Sequence, residues 1–148
     1  MKKQDVPGIL KSKLNDSAIP ASVSAIYIYG SILKGKLRAD SDIDVAMLSR
    51  GGIDVMKRFE LMADVEGILT TLLRELGFRQ EVSVLDLRGD YVSLSLQYSV
   101  VTEGELVFER DTLERAEFEN AVKRDYFDFV PYLRFLREAK HGSLSQKI

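Results

Sequence analysis

The chain has 148 residues, a net charge of −2 and 45% hydrophobic residues, which predicts a single domain with a core of its own. It has no cysteine, which excludes a disulfide framework and a cysteine-based zinc site. The charge excludes binding to nucleic acid by overall electrostatic attraction. No apolar run reaches the roughly 18–20 residues of a membrane span, and the N-terminus lacks the apolar segment of a signal peptide. We therefore expect a cytoplasmic protein that binds neither membranes nor nucleic acid directly.

The first half of the chain predicts a helix, two strands and a longer helix. Residues 3–15 have the spacing of a short amphipathic helix, and the β-branched and aromatic run 24–29 predicts a strand. A short helical turn is expected over 31–35 and a second strand over 42–48. Residues 53–76 predict a long helix, because their apolar residues recur at steps of three or four. These residues are Val55, Phe59, Met62, Val65, Ile68, Leu69, Leu72, Leu73 and Leu76.

The second half predicts two further strands, at 81–87 and 105–108, and a long C-terminal helix over 111–140. Residues 91–101 alternate like a strand but also carry apolar residues at helical spacing, so the pattern leaves both structures open. Pro131 should kink or split the C-terminal helix, because proline lacks the N–H that the helix needs. Strands that alternate with helices predict an α/β or α+β fold, with helices packed on a sheet.

The loop after the first strand has features of a phosphate-binding turn. Gly30 allows a sharp turn and a close approach by phosphate. Ser31 offers a hydroxyl and a backbone N–H at the start of a helical turn, where anions bind. The following residues include three cations that can neutralise phosphate charge, and these are Lys34, Lys36 and Arg38.

Two carboxylates follow at the start of the second strand. Asp42 and Asp44 are two residues apart, so their side chains lie on the same face of the strand. Oxygen ligands on one side suit Mg²⁺, which keeps water and substrate phosphates as its other ligands. Together with the Gly-Ser turn, this pair predicts a metal-dependent site for a nucleoside triphosphate. Each feature alone is common in solvated turns and strand edges, but their order and spacing have few structural explanations.

Gly30-Ser31, a gap of ten residues and Asp42-Ile43-Asp44 resemble the motif of the DNA polymerase β-type nucleotidyltransferase superfamily, and the stretch is most similar to its minimal nucleotidyltransferase (MNT) branch. The resemblance covers about 22–109 of a single domain, 1–148. It implies a small mixed sheet, a helix over 91–101 and a C-terminal helical extension at about 111–141. It also implies site residues. Those for nucleotide binding are Gly30, Ser31, Lys36 and Ser41, and those for catalysis and metal binding are Asp42 and Asp44.

The long helical tail resembles that of MNT antitoxins, which are paired with an RNase toxin of the HEPN family. The resemblance implies transfer of AMP from ATP to a tyrosine hydroxyl of the toxin, with Mg²⁺ as cofactor, and silencing of the toxin. It implies a HEPN-domain protein and ATP as partners. A transferase that acts on a small molecule, such as an antibiotic hydroxyl, is a further hypothesis, but those enzymes usually carry a larger substrate domain.

The chain departs from the family pattern at the third carboxylate, which is expected on the next strand. The matching position is Ser83, which is neutral and cannot act as a base near pH 7. Asp86 lies on the opposite face by strand parity, whereas Glu81 shares the parity of Ser83 and is our candidate for the third catalytic carboxylate. Loss of a general base typically removes about 10²–10⁴-fold in rate. The alternative is therefore an inactive or slow antitoxin that neutralises its toxin by binding alone.

The C-terminal helix carries more aromatic residues than one buried face requires. Packing on the sheet explains most of them, and the remainder predict a surface for a homo- or hetero-oligomer. The aromatic residues in question are Tyr126, Phe127, Phe129, Tyr132 and Phe135.

Overall fold

A computed structural model describes residues 6–35, 38 and 40–146. Its strands are β1 (Val23–Tyr29), β2 (Ile43–Ser49), β3 (Val82–Asp86) and β4 (Glu105–Glu109). Its α-helices are α1 (Val6–Lys13), α2 (Val55–Glu75), α3 (Leu94–Glu103) and α4 (Thr112–Gln146), and a 3₁₀ turn spans Ser31–Lys34.

The four strands form one mixed sheet in the order β3-β2-β1-β4. β1 is antiparallel to both β2 and β4, whereas β2 and β3 are parallel. The register places Tyr29 opposite Asp44 and Ser83 beside Asp44. Paired residues share a face of the sheet, so these three side chains lie on one side. The small mixed sheet that the sequence resemblance implies is confirmed.

Helices cover both faces of the sheet. One face buries Ile26, Ile28 and Val45 under α1 and α2, and the other buries Ala25 and Tyr27 under α3 and α4. The helix implied for 91–101 is confirmed as α3, whose N-cap residue Ser93 accepts a hydrogen bond from the backbone N–H of Leu96. Alternate residues along the middle of β1 and β2 therefore enter two separate cores.

The apolar stripe predicted for α2 is only partly buried. Val65, Leu69 and Leu73 are fully buried. Val55 and Phe59, in the first turns, keep 47% and 60% of their surface exposed. These turns lie beside β3, which is an edge strand of the sheet. No further strand among the described residues covers them.

α4 is one continuous helix with Pro131 inside it, so of the predicted kink or split the split is wrong, and the helix extends beyond the predicted end at 140. Proline removes a single hydrogen bond, to the carbonyl four residues earlier. That carbonyl belongs to Phe127, which is exposed, so water can satisfy it. Among the described residues no helix is both long enough and apolar enough to cross a membrane.

A polar network fixes the first half of α4 to the sheet. The hydroxyl of Tyr27 donates to Glu119 (3.2 Å), and Arg115 donates to Glu119 and, at 2.5 Å, to Glu109 at the end of β4. Burial, more than the nearby Glu119 carboxylate, raises the pKa of the Tyr27 hydroxyl. A hydrogen bond from the Thr112 hydroxyl, followed by the bond from Arg115, lowers the pKa of Glu109. Glu109 therefore stabilises the fold in its ionised form.

This network predicts that Glu109→Gln destabilises the protein at neutral pH. The loss should be about 1.5–3 kcal/mol, the range for hydrogen bonds to charged groups. Because the pKa of Glu109 is lower in the folded state, its contribution is present above the ordinary glutamate pKa and is lost as the pH falls through the folded value. Urea unfolding of the variant and the wild type from pH 7 to pH 3 should show the two stabilities converging.

Glu117→Gln is the matched control, because Glu117 lies on the same helix and is exposed. It should change stability by less than about 0.5 kcal/mol. A difference between Glu109→Gln and wild type that stays constant across this pH range would contradict the assignment.

Candidate active site

Four predicted residues meet at one end of the sheet. Gly30 follows the last residue of β1, Asp42 and Asp44 lie at the start of β2, and Ser83 lies near the start of β3. Asp42 and Ser83 are exposed, and Asp44 is half-buried. Asp42 and Asp44 therefore form a carboxylate pair at an accessible end of the sheet. Tyr29 and Ser83 lie on either side of Asp44, on the neighbouring strands.

Gly30 is required by the position of Asp44. Its φ of 85° and ψ of −151° fall in a region that essentially only glycine adopts. A Cβ atom at this position would lie 2.4 Å from Oδ2 of Asp44. The carboxylate therefore occupies the space that any other residue would fill, and the chain turns there into the 3₁₀ helix.

The 3₁₀ turn begins at Ser31, directly after Gly30, and ends at Lys34. Ile32 is buried in the core under α2 and anchors the turn. The backbone N–H of Leu33 donates to the carbonyl of Gly30, and Gly35 ends the turn in a left-handed conformation. A cavity of about 250 Å³ opens beside it, lined by Tyr29, Gly30, Leu33, Lys34, Ser99, Glu103 and Gly104.

The loop before β2 is described in part. Ser41 accepts a hydrogen bond from the backbone N–H of Arg38 (3.3 Å) and donates its own N–H to the Arg38 carbonyl (3.1 Å). The side chain of Ser41 thus closes the turn that delivers Asp42. Lys36, predicted to bind the nucleotide, lies outside the described residues.

The electrostatics of the site favour a bound cation. Burial, followed by the negative charge of Asp42, raises the pKa of the Asp44 carboxyl above its ordinary value. Burial, followed by the charge of Asp44, raises the pKa of the Tyr29 hydroxyl to about 12, so this tyrosine stays neutral. A cation between the two aspartates would relieve their repulsion.

The protein groups at this site that could bind a metal ion are the carboxylates of Asp42 and Asp44. Within the described part of the chain, no group of three or more His, Cys, Asp or Glu side chains is placed to hold a metal ion. The pair fits an ion that takes its remaining oxygens from phosphate and water, which is the usual coordination of Mg²⁺ at nucleotide sites.

Glu81 and Asp86, the two other carboxylates considered in the sequence analysis, have partners away from Asp42 and Asp44. Glu81 is 74% exposed and pairs with Arg74 of α2 at 3.6 Å. Asp86 is buried near the opposite end of the sheet, where it accepts a hydrogen bond from the Ser49 hydroxyl at 2.7 Å. β3 thus places the neutral Ser83 beside Asp44. Tyr29 was missed as a neighbour of the site, although its place at the end of the strand before Gly30 was a usable signal.

A mixed four-stranded sheet with helices on both faces and a carboxylate pair opposite a Gly-Ser turn is the architecture of a nucleotidyltransferase domain. Residues 11–113 match the family model described as "Polymerase beta, Nucleotidyltransferase". Because the match spans more than half of the length of the chain, the chain belongs to the polymerase β nucleotidyltransferase family.

Solved structures share this fold. A structure described as a toxin–antitoxin with AMP-PNP has a TM-score of 0.58 and 21% identity, covering 94% of this chain and 98% of the other. The MNT antitoxin in complex with the tri-AMPylated HEPN toxin of Shewanella oneidensis has a TM-score of 0.57 and 22% identity, covering 90% and 97%. A mutant of the MntA antitoxin complex has a TM-score of 0.58 and 19% identity, covering 94% and 98%. A comparison with curated proteins gives no match.

The contact between Gly30 and Asp44 predicts a large effect of Gly30→Ala. We expect a loss of at least about 1–3 kcal/mol from backbone strain, increased by the clash with the carboxylate. Gly52→Ala is the matched control, because Gly52 also has a positive φ (82°) but has nothing within 4 Å of its added Cβ. Urea unfolding of both variants should show the larger loss for Gly30→Ala.

The clash can be isolated with Asp44→Ala. In the double variant Gly30→Ala/Asp44→Ala the carboxylate is absent, so the cost of Gly30→Ala should fall towards that of Gly52→Ala. Equal losses for Gly30→Ala with and without the Asp44 carboxylate would show that the contact does not matter for stability.

Proposed function

We propose that the chain is an MNT-type antitoxin that transfers AMP from ATP to a tyrosine hydroxyl of a cognate HEPN RNase toxin, with Mg²⁺, and so neutralises the toxin. The observation that carries the proposal is the pair Asp42 and Asp44 set against the Gly30 turn at an accessible edge of a nucleotidyltransferase sheet. The structural neighbours support the choice of partner and nucleotide, since they include an antitoxin with an AMPylated HEPN toxin and a complex with AMP-PNP.

Each site residue has a role in this proposal. Asp42 and Asp44 would hold Mg²⁺, which neutralises phosphate charge and favours ionisation of the attacking hydroxyl. Gly30 and Ser31 would receive the triphosphate at the start of the 3₁₀ turn, with Lys36 and Ser41 from the next loop. In the transfer, the tyrosine oxygen bonds to the α-phosphorus of ATP, the bond from that phosphorus to the pyrophosphate oxygen breaks, and the hydroxyl proton is released.

Release of that proton is the weak point of the site. Ser83 beside Asp44 is neutral and cannot act as a base. Glu81 would have to leave Arg74, and because an exposed ion pair is worth only about 0–1 kcal/mol, this costs little. We propose Glu81 as the third catalytic carboxylate on that ground.

The neutral Ser83 also favours a second candidate function. An antitoxin that binds and masks its toxin without transfer needs the fold and a partner surface, but it does not need a base. Transfer requires Asp42 and Asp44 as metal ligands, whereas masking does not. Substitution of both aspartates therefore distinguishes the two candidate functions.

The second half of α4 is the proposed partner surface. α4 starts at the end of the sheet opposite the site, where Asp111 donates to the Ser24 carbonyl, and passes Tyr27 on the way towards the site. Tyr126 stacks on Tyr98 of α3 with ring centroids 3.8 Å apart. From there the helix continues for 20 residues, about 30 Å. Its exposed apolar side chains are Phe127, Tyr132, Phe135 and Leu136. A partner bound there lies at the active-site end of the domain, either a HEPN protein or a second copy of the chain.

Transfer is tested with labelled ATP, Mg²⁺ and the cognate HEPN protein. We expect AMP to appear on a tyrosine of that protein, and Asp42→Asn/Asp44→Asn to abolish it because the metal ligands are lost. Mass spectrometry of the HEPN protein measures the modification. Ser83→Asp restores a carboxylate beside Asp44 and should raise the rate by about 10²-fold or more, within the range of general-base effects.

The growth of cells that express the toxin separates the two candidates. If the double variant no longer protects them, although it folds and still binds the toxin, neutralisation requires transfer. Full protection by the double variant would support masking. A chain without transfer activity even as Ser83→Asp would contradict the enzymatic proposal.

The partner surface is tested with Phe135→Asp. Phe135 is 65% exposed, so a charge there should leave the free fold stable but weaken an apolar interface by about 2 kcal/mol or more. Size-exclusion chromatography with light scattering measures the mass of the chain alone and with the HEPN protein. Leu113→Asp is the control, since Leu113 is equally exposed in the first turn of the same helix. Unchanged masses for Phe135→Asp would rule out this surface.

A further inference from the structure

β3 leaves hydrogen-bonding groups free on its outer edge. The carbonyl of Glu81 accepts from Ile43 (2.8 Å), and the N–H of Leu87 donates to Met47 (2.9 Å), so these residues of the β3 segment point towards β2. Because the direction alternates along a strand, the N–H and carbonyl groups of Val82 and Val84 point away from the sheet. Among the described strands β3 is terminal on this side. An added strand can therefore pair with it.

An apolar groove lies next to this edge. It has a volume of about 430 Å³ and lies between the first turns of α2 and the segment after β3, and its main apolar walls are Val55, Phe59, Met62, Leu85, Tyr91 and Val92. Tyr91 and Phe59 are among the most exposed aromatic residues of the chain. The volume is in the range of ligand and side-chain pockets.

Three charged residues line the groove, Arg58, Asp86 and Asp90, and the first two have partners within the chain. Arg58 donates to the carbonyl of Arg88 at 2.8 Å, and Asp86 accepts from Ser49. The groove therefore offers apolar contact and backbone pairing instead of a charged recognition site. This combination is typical of a surface that takes an extended peptide as an added strand.

The groove is continuous with the active site through β3. Asp86, which lines the groove and lies on the α2 face of β3, is three residues from Ser83 on the face of Asp44, a distance of about 10 Å along the strand. A strand added outside β3 would lie about 5 Å from β3 and about 10 Å from β2. A tyrosine on that strand, opposite Ser83, points to the side of Asp44. The residues one and three positions away point to the other side, towards α2 and the groove.

We propose that the acceptor tyrosine is presented on an extended segment of the partner that pairs with the outer edge of β3, with an apolar side chain one or three residues from the tyrosine inserted in the groove. The inference rests on the proposed transfer to tyrosine. It adds a rule for the acceptor segment, namely that the tyrosine and its apolar anchor are an odd number of residues apart. Because the groove lies only at the C-terminal end of β3, the anchor must always lie on the same side of the tyrosine in the sequence.

The test uses a panel of blocked eleven-residue peptides of serine, glycine and lysine with a central tyrosine and one leucine moved through positions −4 to +4. Fluorescence anisotropy measures their binding to the Asp42→Asn/Asp44→Asn variant, and labelled ATP with Mg²⁺ measures their modification by the wild type. We expect the best peptides to carry leucine at an odd spacing on one side. Phe59→Ser should weaken their binding about tenfold and raise KM without lowering kcat.

Backbone pairing is tested separately. N-methylation of the best peptide should weaken binding at alternate positions, because only every second N–H faces β3. Val84→Pro removes an outward N–H, which edge strands tolerate, and should have the same effect. The N-methyl series requires no change in the protein, so the test does not depend on that variant folding. Leu113→Ser is the control for an unrelated exposed apolar residue.

The outcomes distinguish this inference from the proposed function. Peptide binding with the expected spacing in the double aspartate variant supports the docking site even if the wild type transfers no AMP. Transfer that is abolished by the aspartate changes but unaffected by Phe59→Ser, Val84→Pro and leucine position would keep the function and overturn the docking site. Loss of a dimer in Phe59→Ser would overturn it too, because a second copy would then occupy the groove.

Discussion

The candidate active site depends on one close approach, in which the carboxylate of Asp44 occupies the space that a Cβ atom at Gly30 would fill. β1 and β2 are hydrogen-bonded neighbours with Tyr29 opposite Asp44, so the carboxylate can turn over the end of β1 only where the next residue has no side chain. The same glycine bends the chain into the 3₁₀ turn. Gly30 therefore sets both the position of the Asp44 carboxylate and the direction of the 3₁₀ turn. The burial that follows, together with the charge of Asp42, raises the pKa of the Asp44 carboxyl.

Features that depend on local periodicity could be predicted from the sequence. The positions of β1, β2 and the buried half of α2 follow from apolar spacing, and strand parity alone put Asp42 and Asp44 on one face. The segment 91–101 was ambiguous for a physical reason. α3 packs against both the sheet and α4, with Leu96 against the sheet core and Tyr98 stacked on Tyr126. A helix with apolar residues on two faces can match the alternation of a strand as well as the helical period.

Features that depend on distant parts of the chain could not be predicted. The exposure of Val55 and Phe59 follows from the position of β3 at the edge of the sheet, which the spacing within α2 does not contain. The pairing of Glu81 with Arg74 depends on how the end of α2 returns to β3. The continuity of α4 through Pro131 also depends on the surroundings of the helix. The carbonyl that loses its hydrogen bond belongs to the exposed Phe127, so water can satisfy it and the loss of that bond costs little.

Under the proposed function, Ser83 would make toxin binding and AMP transfer separable. A carboxylate at position 83 would be a third negative group, next to Asp42 and Asp44. The pKa of the Asp44 carboxyl is already raised by burial and by the charge of Asp42. Serine removes that repulsion and leaves both metal ligands in place. It also removes the nearest group that could take the proton of an attacking hydroxyl. The Gly30 turn, the aspartate pair, the β3 edge and the surface of α4 do not involve the Ser83 side chain. In the proposed function, nucleotide and partner binding would therefore not require a base, and only the rate of transfer would depend on the side chain at position 83.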